Sequence, residues 1–176
     1  MNHQIISEIF ADVRQKQPLI HCITNPISIN QCANAILAVG GRPMMAEHPR
    51  EVAEITQTAG CLMLNMGNIT DIRMESIRIS AETAVKAHIP VVLDAVGIAC
   101  SQLRRNYIRE LLSDLTPTVI KGNYSEVYAL YQDSYCASGV DADASLGIRT
   151  IDRCALTLAR DRNTIILASG KVDVLT

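Results

Sequence analysis

Ile89-Pro90-Val91-Val92-Leu93-Asp94-Ala95-Val96-Gly97 reads as a short buried strand that ends on a carboxylate and turns at a glycine. Helical periodicity flanks it on both sides. Ile72, Ile79 and Val85 recur along residues 71–88, and Leu103, Tyr107, Ile108, Leu111 and Leu112 form one face of 101–115. A helix–strand–helix unit of this kind predicts a parallel strand inside a βαβ array.

The same alternation extends outward in both directions. Towards the N-terminus, residues 4–16 place Ile5, Ile6, Ile9, Phe10 and Val13 on one helical face, and Pro18 stops that helix. Leu19–Ile23 is the next strand. A helix with Ile29, Ala33, Ile36 and Leu37 on its inner face follows and ends at Gly40-Gly41. Arg42–Ala46 reads as a brief strand, Pro49 suits the first turn of a helix carrying Val52 and Ile55, and Cys61–Asn65 is a strand closed by Gly67. Towards the C-terminus, Thr118–Lys121 is a strand that ends at Gly122-Asn123, followed by a short helix with Val127 and Leu130. Residues 133–144 read as a polar loop. Ile151, Ala155 and Leu158 mark a last helix, and Thr164–Ala168 a last strand. The pattern predicts an α/β protein with a mainly parallel sheet covered by helices on both faces.

Composition narrows the class further. The 176 residues suit a single domain. A formal net charge of −2 excludes a strongly basic nucleic-acid footprint, and 3% aromatic content leaves little for stacking on single strands. At 48% hydrophobic and 19% charged, the chain is too apolar for disorder. No apolar run approaches the ~18 residues of a membrane span, and the N-terminus has no signal-peptide pattern. A cytoplasmic protein is the expectation, with no membrane or nucleic-acid partner. The six cysteines then read as reduced, mostly buried thiols.

In open parallel sheets, ligands bind beyond the carboxyl ends of the strands. That rule selects Thr24-Asn25, Met44-Met45, Asn65-Met66-Gly67, Asp94, Lys121-Gly122-Asn123 and Ser169-Gly170. Neither a Gly-x-x-x-x-Gly-Lys-Ser/Thr loop nor a Gly-x-Gly-x-x-Gly fingerprint is present. Asp94 could hold Mg²⁺ or orient a hydroxyl, or cap a turn. Glu126 stands three residues after Asn123, the spacing of a helix capping box. Lys121 could meet a phosphate as a point charge or simply be solvated. Asn25-Pro26 and Asn65-Met66-Gly67 could be ordinary turns, and Met45 a core filler or a pocket wall.

Taken together, the ordered motifs resemble the hydroxyethylthiazole kinase family. They are His21-Cys22-Ile23-Thr24-Asn25, Asn30, Ala33-Asn34, Pro43-Met44-Met45-Ala46, Asn65-Met66-Gly67-Asn68, Leu93-Asp94-Ala95-Val96-Gly97, Lys121-Gly122-Asn123-Tyr124-Ser125-Glu126, Gly139-Val140-Asp141 and Ala168-Ser169-Gly170-x-x-Asp173. The resemblance implies a ribokinase-like fold and ATP-dependent phosphorylation of the hydroxyl of 4-methyl-5-(2-hydroxyethyl)thiazole, with Mg²⁺, in thiamine salvage. It implies that Asn25, Met45 and Gly67 line the thiazole pocket, that Lys121 and Ser169 face ATP, and that Asp94 and Glu126 organise Mg²⁺ and its water. It also implies a trimer.

The sequence departs from the family pattern at several points. Ala95 stands where Pro is usual, Asn68 where Thr is frequent, and Ser169 where Thr is usual. Family members continue into a Gly-Thr-Gly-Cys motif, and this sequence ends at Thr176 ahead of it. The expectation is one incomplete ribokinase-like domain over residues 1–176, truncated at its C-terminal end, with an exposed apolar patch. None of the six cysteines is assigned to catalysis. The alternative reading is a non-catalytic remnant that binds the thiazole without phosphoryl transfer.

Overall fold

The computed structural model describes residues 3–137 and 146–176. The order of elements is α1 (His3–Lys16), β1 (Leu19–Ile23), α2 (Ile29–Val39), β2 (Arg42–Met44), α3 (Val52–Gln57), β3 (Cys61–Asn65), α4 (Asp71–Ala87), β4 (Val91–Asp94), α5 (Gln102–Asp114), β5 (Val119–Asn123), α6 (Tyr124–Tyr131), α7 (Ile148–Arg162), β6 (Ile165–Ser169) and β7 (Val174–Leu175). Most of the elements expected from periodicity form within a residue or two. Pro49 lies in the turn before α3 rather than in its first helical turn. The expected loop at 133–144 and the Gly139-Val140-Asp141 motif lie wholly or partly outside the described residues.

One seven-stranded sheet runs β2-β1-β3-β4-β5-β6-β7. Every pairing is parallel except β6 with β7. The chain steps from β1 to β2 at one edge and then crosses back over β1 to β3. Right-handed crossovers therefore put α2 on one face and α3, α4, α5 and α7 on the other. The reversal makes the gap between the ends of β1 and β3 the topological switch point.

Register divides the strand residues between the two faces. His21, Leu62 and Val91 stand side by side, as do Ile23, Leu64, Leu93, Ile120 and Ile166. These side chains are sealed beneath Ile77, Ala81 and Ala84 of α4, Ile108 of α5, and Ile151 and Ala155 of α7. On the opposite face, Met63, Val92, Val119 and Leu167 are only half-buried and Ile165 is 43% exposed.

Helices lie on both faces of a mainly parallel sheet, as expected, but they do not seal the two faces equally. Alternation of burial in β3, β4, β5 and β6 shows one sealed face and one partly open one. The expected inner face of α2 is only partly covered: Ile29, Ala33 and Ile36 are half-buried, Leu37 is exposed, and neither α1 nor α2 contributes a fully buried residue. The cysteines are unpaired as expected, but Cys22 and Cys154 alone are buried, while Cys100 and Cys136 are exposed.

Candidate functional site at the carboxyl edge of the sheet

The register that leaves one face partly open also lines up polar groups at its carboxyl end. Asn65 on β3 stands opposite Asp94 on β4, and Asp94 opposite Lys121 on β5. Their side chains join in a row. Asn65 donates from Nδ2 to Asp94 Oδ2 at 3.1 Å, and Lys121 Nζ lies 3.6 Å from the same oxygen. From β1, across the switch point, Asn25 donates from Nδ2 to Asn65 Oδ1 at 3.3 Å. The Asn25 side chain is itself steadied, because its Oδ1 accepts from the Ser28 N–H at 3.1 Å.

Gly67 is required by space rather than by backbone conformation. Its N–H donates to Asn65 Oδ1 at 2.8 Å. A Cβ at this position would meet Asn65 Oδ1 at 2.8 Å and Asn25 Nδ2 at 3.0 Å. The chain therefore passes directly over the amide pair, and only a glycine leaves that approach open.

Asp94 is the electrostatic centre of the row. Burial pushes its carboxyl above the ordinary value, against the downward pull of the Lys121 ammonium. Oδ2 is shared between Asn65 and Lys121, whereas Oδ1 is buried without a hydrogen bond of ordinary geometry, and the Val96 N–H close to the carboxylate helps draw its pKa down. A carboxylate oxygen of this kind suits a ligand to a hard cation.

Glu126 is 3% exposed, and both of its oxygens are engaged. Oε2 accepts from the Asn123 N–H at 2.6 Å while Asn123 Oδ1 accepts from the Glu126 N–H at 2.9 Å, so the capping box forms. Oε1 accepts from the Gly97 N–H at 2.7 Å. Gly97 itself has φ +78°, a conformation that favours glycine, and it is the turn that carries the chain away from Asp94. Burial raises the Glu126 carboxyl while the Asn123 and Gly97 N–H groups draw it back down. This carboxylate thus ties the end of β5 to the turn after β4.

The two remaining candidate residues sit at the ends of the row. Ser169 pairs in register with Asn123 and donates to the Gly122 carbonyl at 3.3 Å. Met45 follows β2, where His21 opposes Met44, so it flanks the β1 end. Among the described residues, no three His, Cys, Asp or Glu side chains gather as a ready-made metal cage. A separate cavity of about 180 Å³ lies between α4 and α5, lined by Ala81, Val85, Tyr107, Leu111 and Leu115 with charged side chains around them. It belongs to the helical layer, away from the row.

Sequence reading gave Asn65 no role of its own, although the amide is the hub of the row. The available signal was positional: Asn65 ends its strand as Asp94 ends the next one. Arg73, which hydrogen-bonds Glu47 and Asn68, lies outside every motif, and His21, which hydrogen-bonds Ala46, stands in one but was given no role.

This strand order, with polar groups gathered at the carboxyl edge, places the molecule among the ribokinase-like α/β proteins. Adenosine kinase from Anopheles gambiae shares the fold, with a TM-score of 0.55 at 11% identity, over 95% of this chain and 59% of that one. The model of the Hydroxyethylthiazole kinase family matches residues 10–176, and the chain belongs to that family. It is 46% identical over 178 residues to hydroxyethylthiazole kinase 2 from Clostridium botulinum strain 657, and 42% identical over 172 residues to hydroxyethylthiazole kinase from Finegoldia magna. These alignments take in 96% and 98% of this chain and 66% and 64% of the relatives. A hydroxyethylthiazole kinase structure from Pyrococcus horikoshii superposes with a TM-score of 0.86 at 31% identity, over 98% of this chain and 63% of that one. The chain thus spans just under two thirds of the length of the relatives it matches.

Proposed function

We propose that the carboxyl edge of this sheet binds 4-methyl-5-(2-hydroxyethyl)thiazole and directs phosphoryl transfer from ATP to its hydroxyl, in thiamine salvage. The observation that carries the reading is the continuous row Asn25–Asn65–Asp94–Lys121 across the switch point. Phosphoryl transfer asks for positioning and charge neutralisation rather than covalent chemistry, and a fixed row of amide, carboxylate and ammonium offers both.

In this reading Asn25, Met45 and Gly67 border the thiazole. Lys121 neutralises phosphate charge, and Ser169 hydrogen-bonds the nucleotide. Asp94 would hold Mg²⁺, its buried Oδ1 having no hydrogen-bond partner of ordinary geometry. Both Glu126 oxygens are engaged by backbone N–H groups, so Glu126 acts by holding the Gly97 turn and by orienting water, not as a direct ligand. When bound, Mg²⁺ screens the phosphate charge. The chain's part is to bring the hydroxyl and phosphate into line and to hold them there. A single continuous sheet supports reading residues 1–176 as one unit. No helix among the described residues is long and apolar enough to cross a membrane, which fits a cytoplasmic enzyme. A trimer completes the proposal.

The test is to incubate the purified chain with the thiazole alcohol, Mg²⁺ and ATP and to follow thiazole phosphate by mass. Turnover that vanishes in Asp94→Asn supports the enzyme. Calorimetric binding of the thiazole without turnover identifies the alternative, a binding module. Absence of binding overturns the substrate assignment.

A further inference from the structure

Three polar side chains outside the row converge on the segment that follows Met45. His21, fully buried on β1, places Nε2 2.9 Å from the Ala46 carbonyl oxygen and Nδ1 2.8 Å from Thr56 Oγ1. A carbonyl can only accept, so Nε2 carries the hydrogen and the Thr56 hydroxyl donates to Nδ1. Burial lowers the pKa of His21, which favours this neutral ring. Ser76 Oγ on α4 lies 2.7 Å from the carbonyl oxygen of Glu47 and 2.9 Å from that of Ile72, with one hydrogen to give.

Arg73 of α4 goes further, because it reaches two loops. It is 5% exposed. Its Nε and Nη2 donate to Glu47 Oε2 at 3.1 and 2.8 Å, and its Nη1 donates to the Asn68 carbonyl. Asn68 directly follows Gly67 and has φ +44°, so its carbonyl is held in a conformation that non-glycine residues rarely adopt. A buried cation is costly unless it is fully paired, and Glu47 is itself half exposed. An ion pair alone would need no contact with Asn68. A planar fork with five donors can serve both partners at once, whereas a point charge cannot.

We propose that Arg73 is a positioning residue that locks the Met45 loop to the Gly67–Asn68 turn, with His21 and Ser76 anchoring the same loop, and so fixes the width of the thiazole pocket. The proposal rests on the assignment of Met45 and Gly67 as the two walls of that pocket.

The test uses the full chain and two independent readouts. The first is hydrogen exchange of the ligand-free protein over residues 45–51 and 66–70. The second is calorimetric titration with 4-methyl-5-(2-hydroxyethyl)thiazole. Arg73→Met is expected to speed exchange in both segments together, and Glu47→Ala to speed it in 45–51. Arg73→Met is expected to weaken thiazole binding roughly tenfold, the effect of losing a charge-assisted hydrogen bond. Placed on Met45→Ala, it should add less than about threefold, because it acts through Met45. Unchanged exchange in both segments, or fully additive losses in the double variant, overturns the lock. If the parent binds no thiazole, the pocket assignment falls, and exchange alone decides whether the lock exists. Should Arg73→Met fail to fold, Glu47→Ala, altered at a half-exposed side chain, carries the test.

Discussion

Gly67 and Asp94 show how single residues divide the work at the carboxyl edge. Gly67 contributes by what it lacks. In Gly67→Ala the added methyl would press on Asn65 Oδ1 and Asn25 Nδ2, both held by hydrogen bonds that leave little room to yield. Overpacking of this kind costs about 1–2 kcal/mol. The variant should therefore lower the urea midpoint, and because the row is displaced, thiazole binding should fall with it. Asp94 contributes at a cost to stability. Its carboxyl is raised by burial and one oxygen lacks a hydrogen bond of ordinary geometry, so the ionised form at neutral pH is paid for by the rest of the fold. Asp94→Asn should stabilise the ligand-free protein by about 1 kcal/mol, raising Tm by roughly 2–4 °C. The gap should narrow on acidification, as the parent carboxyl takes up its proton. A thermal melt at two pH values checks both statements, and an unchanged or lower Tm at neutral pH would contradict them.

At the scale of elements, α6 is where a local signal and a tertiary contact meet. Asn123 and Glu126 satisfy each other's backbone N–H groups, as the Asn-x-x-Glu spacing predicts. That much is a property of four consecutive residues. The other Glu126 oxygen reaches the Gly97 N–H, 29 positions away in sequence, so the same side chain also fixes the turn after Asp94. Asn123→Ala removes the Oδ1 acceptor that caps the Glu126 N–H and should cost about 1 kcal/mol in urea unfolding with an unchanged m-value. Glu126→Ala leaves two backbone donors unpaired in a buried setting and should cost more. An equal cost for the two would mean that the Gly97 bond contributes nothing.

At the scale of the molecule, the sheet has a sealed face and a partly open face. Met63, Val92, Val119 and Leu167 lie half-buried on the open side beside the more exposed Ile165, and α1 adds exposed Ile5, Ile9 and Phe10. Uncovered apolar surface of this kind drives association in water. The protein should sediment as concentration-dependent species at tens of micromolar (~10⁻⁵ M). Ile165→Lys combined with Phe10→Glu should shift it towards the monomer. A single monomeric boundary for the parent at all concentrations would contradict this.

The elements were legible in the sequence because each is a local matter. Proline and glycine stops, a period near 3.6, and short apolar runs define the strands and helices wherever they sit. Strand-end polar residues such as Asp94 and Lys121 were visible for the same reason, since a carboxylate or ammonium that closes an apolar run stands out without any partner. The antiparallel β7 was missed, since Val174–Leu175 is two residues long and becomes a strand only by pairing with β6. The inner face assigned to α2 is half-buried at Ile29, Ala33 and Ile36 and exposed at Leu37, because periodicity reports that a face is apolar, not how completely something covers it. By itself, then, the sequence determined the order of strands and helices, the capping of α6 and which residues stand at strand ends. Tertiary structure alone decided which of them touch: Asn65 joins Asn25 to Asp94, and Arg73 joins the Met45 loop to the Gly67 turn. Asn25 and Asn65, Asn65 and Asp94, and Arg73 and Glu47 are tens of residues apart, and only the register of the sheet and the packing of α4 bring them within a hydrogen bond.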